Sequence, residues 1–128
     1  MPDLEKLTIN LTPVDLGQIE LLVEQGFYSN RAEFIRVAIR DQLAKHADVV
    51  RETAARETFV IGAMTLGRSS LERQRGAGRR TAVQVIGFLS ISDDVTPDLA
   101  REVIESVKVR GIFRASAAVK EALADRTS

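Results

Sequence analysis

The chain has 128 residues, 18 Lys and Arg balanced by 18 Asp and Glu, 45% hydrophobic residues and no cysteine. That length makes one ordinary domain or two very small ones that each bury little surface, so self-association is expected. A disulfide framework is excluded, the longest apolar run (Phe59 to Leu66) is far too short to span a bilayer, and no basic and apolar signal opens the chain, so cytoplasmic residence is the expectation.

From Lys6 to Leu11, Leu7, Ile9 and Leu11 alternate with Lys6, Thr8 and Asn10, the period-two pattern of a half-buried strand. Pro13 cannot donate to a ladder and suits the first turn of a helix, for which Thr12 is the cap. Leu16, Ile19, Leu22 and Val23 then recur at helical spacing up to Gln25, and Gly26 supplies the left-handed residue that ends such a helix. Asn30 and Glu33 form a capping-box variant that opens a second helix with Phe34, Ile35, Ala38, Ile39 and Leu43 as its inner stripe. The Ala-rich stretch beyond it carries helix on towards Arg56, while Phe27 and Tyr28 plug the core near the turn.

The remainder has a different grain. Thr58 to Met64, Thr81 to Ser92 and Val107 to Ser116 read as β segments, Pro97 to Ser106 as a helix capped by Thr96, and Ala117 to Ala124 as a last short helix. Val60-Ile61-Gly62, Val85-Ile86-Gly87 and Val109-Arg110-Gly111 repeat a Val-x-Gly unit, at steps of 25 and then 24 residues. Such spacing suits a stack in which each unit buries its apolar face on its neighbour, although Val-x-Gly is also a common strand motif. Residues 51–80 hold seven Arg against three Glu, the most basic part of the chain. Within them the loop 68–80 (Arg68, Arg73, Arg75, Arg79, Arg80) reads either as a solvated connection or as a flexible, non-specific phosphate-binding arm.

A short lone strand leaves an unpaired edge and an exposed apolar row. The simplest remedy is the same strand from a second chain, paired antiparallel over the helices of a homodimer. Such a ribbon fits the DNA major groove, and its outer face offers Lys6, Thr8 and Asn10, side chains able to read base edges. The helix start at Asn30 and Arg31 offers amides and a positive dipole end to a phosphate. A plain solvated sheet face is the rival reading of Lys6, Thr8 and Asn10, and pairing with Glu33 is the ordinary reading of Arg36.

The strand KLTINL, the helix end LLVEQG and the run YSNRAEFIRVAIRDQL resemble the Arc/MetJ/CopG ribbon-helix-helix family, most closely its CopG-like branch, over residues 4–46. The resemblance implies a β-α-α intertwined homodimer, base contacts from Lys6, Thr8 and Asn10, and phosphate contacts from Asn30 and Arg31. Where the family often has Ser before the Glu, this chain has Ala32, which removes one hydroxyl and lowers the expected affinity. The nickel-responsive branch of the family uses His and Cys ligands, and His46 stands alone here without cysteine, so no such site is built. Asp93, Asp94 and Asp98 read as an acidic turn and a helix start rather than cation ligands.

The expected fold is α+β. Residues 1–46 form the ribbon-helix-helix DNA-binding and dimerisation domain, 47–57 a helical extension or linker, and 58–128 an αβ module for oligomerisation or a protein partner. With no nucleophile, base and orienter together and no phosphate loop, no enzyme, cofactor or membrane role is expected. The favoured function is a nucleoid-associated, repressor-like regulator on double-stranded DNA. The alternatives are an assembly protein polymerised by its C-terminal repeats and the antitoxin of a toxin-antitoxin pair.

Overall fold

The computed structural model describes residues 4–128. They divide between two compact units, one up to Glu52 and one from Thr53 to Ser128. No helix among the described residues is long and apolar enough to cross a membrane.

In the first unit, α1 (Pro13–Glu24) begins where the Thr12 hydroxyl accepts the Asp15 amide at 3.2 Å, and Pro13 fills a position that needs no amide donor. It ends at Gly26, whose φ of +86° lets the chain turn while the Phe27 amide donates back to the Leu22 carbonyl at 3.0 Å. Next comes α2 (Arg31–Lys45), which stops at His46; the helical extension is a separate element, α3 (Ala47–Arg56), not a continuation of α2. Tyr28 packs its ring edge-on to Phe34 at 5.0 Å, as a core plug should, but Phe27 is 71% exposed and plugs nothing within the chain. The expected strand from Lys6 to Leu11 is not formed within the chain. A strand is defined by its ladder, and the described residues of unit 1 offer no second strand to pair with.

The second unit alternates strand and helix: β1 (Val60–Leu66), α4 (Arg68–Gly76), β2 (Thr81–Ile91), α5 (Pro97–Val103), β3 (Ile104–Arg114) and α6 (Ala117–Ala122). The strands run parallel in the order β1-β2-β3, as expected when each connection is long enough to hold a helix. The helices pack in a row, and Leu71, Leu99, Val103 and Val119 bury against Val83, Val85, Leu89 and Ile91 on one face of β2 and against Ile104 and Val107 of β3. Two sequence expectations change here. The Arg-rich stretch is a helix from Arg68 to Gly76, because Leu71 gives it an anchor in the core and Arg68 pairs with Glu72 one turn on at 2.8 Å. The helix from Pro97 is shorter than expected, because Ile104 already belongs to β3.

The Val-x-Gly repeat is real in three dimensions. Val60, Val85 and Val109 lie side by side, as do Gly62, Gly87 and Gly111, across the two parallel joints. A Cβ at Gly87 would sit 2.1 Å from the Gly62 carbonyl oxygen, and one at Gly111 would sit 2.0 Å from that of Gly87. With φ of +136° and +128° these positions accept glycine alone, so the repeated residue is the one that lets the strands close.

Candidate nucleic-acid interface

Residues 4–10 are all exposed. Lys6, Thr8 and Asn10 therefore face water, but so does the apolar row between them, with Leu7 83% and Ile9 64% accessible. Beside this row lies an apolar hollow of about 430 Å³ bounded by Leu7, Ile9, Leu11, Phe34, Ile35 and Ile39. It is the inner stripe expected of α2, lying open: among the described residues of unit 1 only Ile19 of α1 is buried, and α2 buries none of its residues.

At the start of α2 the Asn30 side-chain carbonyl oxygen accepts the Glu33 amide at 2.8 Å, which fixes the first turn and leaves the Asn30 amide group for another acceptor. Glu33 reaches back and accepts from the Ser29 amide at 2.6 Å and from the Ser29 hydroxyl. The hydroxyl and then the amide of Ser29 hold the Glu33 carboxyl below its ordinary range, with Arg36 adding a weaker pull. Glu33 is thus engaged by Ser29 rather than held in an ion pair by Arg36. Arg31 lies 3.6 Å from Glu20 of α1, an exposed pair with little hold on either partner. Ser29, Asn30 and Arg31 line one shallow depression together with Glu20, Val23 and Glu24. Sequence reasoning singled out Asn30 and Arg31 and missed Ser29. The signal was the hydroxyl immediately before the cap, within reach of Glu33.

Thus each unit-1 residue expected at the interface lies on the surface, in two groups: the outward row Lys6, Thr8 and Asn10, and the helix start Asn30 and Arg31. The Arg-rich set lies in the second unit, with Arg68, Arg73 and Arg75 on α4 and Arg79 and Arg80 between α4 and β2. Arg68 is tied to Glu72, which raises its affinity for its proton, and Arg75 lies 3.4 Å from Glu102 of α5, while Arg73, Arg79 and Arg80 are exposed.

The family description of ribbon-helix-helix transcriptional regulators matches residues 2–120 of the chain. Among curated proteins, the transcriptional regulator CdrS of Halobacterium salinarum is 33% identical over 45 residues, covering 35% of this chain and 82% of that protein. No solved structure matches.

Proposed function

Because the chain belongs to the ribbon-helix-helix transcriptional regulator family, we propose that it is a DNA-binding regulator acting as a homodimer, in which Lys6 to Leu11 of two chains pair antiparallel into a ribbon. Leu7, Ile9 and Leu11 of the ribbon lie on the open hollow formed with Phe34, Ile35 and Ile39, and Lys6, Thr8 and Asn10 enter a major groove. Asn30 and Arg31 then grip the flanking phosphates. Phosphate contacts set the register and the ribbon reads sequence.

The observation that carries this reading is the coincidence of an exposed apolar row with an exposed apolar hollow in a unit too small to fold well alone. Regulation is by occlusion: a dimer seated on a short, roughly palindromic operator denies the site to other proteins, which makes the regulator a repressor. The decisive experiment compares Asn10→Ala with Arg31→Ala on operator DNA, selected from the organism's own genome, and on random duplex. Asn10→Ala should lose discrimination while keeping non-specific affinity, and Arg31→Ala should lose affinity for both alike. Equal losses on both duplexes for Asn10→Ala would remove its reading role.

A further inference from the structure

Each strand of the second unit has two edges, and the two joints inside the sheet are copies of one another. At each joint Val meets Val, Gly meets Gly, and the later glycine packs against the earlier carbonyl oxygen, at 2.1 Å for an added Cβ in one case and 2.0 Å in the other. The outward edge of β1 is the same edge that β2 turns to β1 and β3 turns to β2. Gly62 has the same φ of +136° as Gly87, yet nothing lies within 4 Å of where its Cβ would be.

The outer edge of β3 is, in turn, the edge that β1 turns to β2. Its beginning is occupied, because Val107 bridges to Thr127 and the Val107 carbonyl accepts the Ser128 amide at 2.9 Å. The described contact lies before Val109, the residue that lines up with Val60, where β1 starts. β1 (VIGAMTL) also carries no charged side chain and leaves Val60 and Ile61 46% and 53% exposed, so it lacks the charges by which edge strands usually resist pairing.

We propose that a second copy of this chain adds its β3 to the outer edge of β1, parallel, with Gly111 of one copy opposite Gly62 of the other. Val109 then faces Val60 and Arg110 faces Ile61, continuing the register of the two internal joints. The contact is head-to-tail, so it leaves one free edge at each end and propagates unless it closes into a ring. It uses a different surface from the N-terminal pairing and does not depend on it. Together the two contacts would link dimers into arrays, a basis for cooperative occupation of neighbouring sites.

The full-length chain is to be sized by sedimentation velocity from low to high micromolar concentration. Mass is expected to grow beyond the dimer as concentration rises, and a constant dimer mass throughout would overturn the proposal. Ile61→Lys, at an exposed position, should return the protein to a discrete dimer with circular dichroism and single-site DNA binding unchanged; growth that persists in a folded Ile61→Lys protein would refute the edge contact. Because the natural chain has no cysteine, register is tested directly. A mixture of Ile61→Cys and Arg110→Cys chains should yield the mixed disulfide dimer on oxidation, since facing residues of adjacent strands lie within disulfide reach. A disulfide dimer formed by Ile61→Cys chains with each other, with no mixed dimer in the mixture, would instead show β1 pairing with β1 and sink the head-to-tail arrangement.

Discussion

A methyl group at position 87 would fall 2.1 Å from the carbonyl oxygen of Gly62, where no backbone shift is cheap, and the φ of +136° already excludes most side chains. Gly87→Ala is therefore expected to lower the stability of the second unit by at least about 2 kcal/mol, read by chemical denaturation. Thr12→Ala removes the acceptor for the Asp15 amide and should cost about 1 kcal/mol. The Glu33 carboxyl, lowered by its bonds from Ser29, has a pH signature. A group whose folded value is depressed stabilises above its unfolded value, and that contribution is lost as pH falls through the folded value. The start of α2 should thus be fully capped at neutral pH and loosen below the ordinary carboxylate range, and amide exchange at Ser29 and Glu33 should rise there. In Glu33→Gln the same scan should show no such step.

At the scale of elements, α4 separates composition from placement. Five arginines between Arg68 and Arg80 read either as a solvated loop or as a mobile arm, but Leu71 is wholly buried, so Arg68–Gly76 is held to the sheet as a helix, with Arg79 and Arg80 just beyond it. Deleting it would remove core, and neutralising its exposed charges is the informative change. If Arg73, Arg79 and Arg80 touch phosphates, converting all three to Gln should flatten the salt dependence of DNA binding by up to about 0.9 per residue in log–log slope. An unchanged slope would leave the Arg-rich stretch as scaffold alone. In β2, Leu89 is fully buried under the helices, and Leu89→Ala should cost about 2–5 kcal/mol in a thermal or denaturant melt of the second unit.

For the whole molecule, the two units differ in how they are stabilised. The second has a core drawn from three strands and three helices, whereas the first buries little and exposes its apolar row. A fragment of residues 53–128 should melt at a temperature independent of concentration below the range of edge pairing. A fragment of residues 1–52 should melt higher as it is concentrated, because its fold is linked to association by mass action. Differential scanning calorimetry at several concentrations checks both, and a concentration-independent melt of the first fragment would argue against dimerisation as the source of its stability.

What the sequence determined by itself was local. Thr12, Pro13, Gly26, Asn30 and Glu33 announce helix ends through the hydrogen-bonding and steric properties of single residues, and they stand where expected. The alternation of Lys6 to Leu11 and the run from Tyr28 to Leu43 carried the family, because both set apolar and polar residues at a regular spacing along the chain. Tertiary structure decided what depends on residues far apart in the chain. Leu71 is an anchor only because strands and helices lie beneath it, and Val-x-Gly becomes a joint only when parallel strands bring each glycine against the next carbonyl. Burial and close approach are properties of neighbours in space, which periodicity along a chain does not contain.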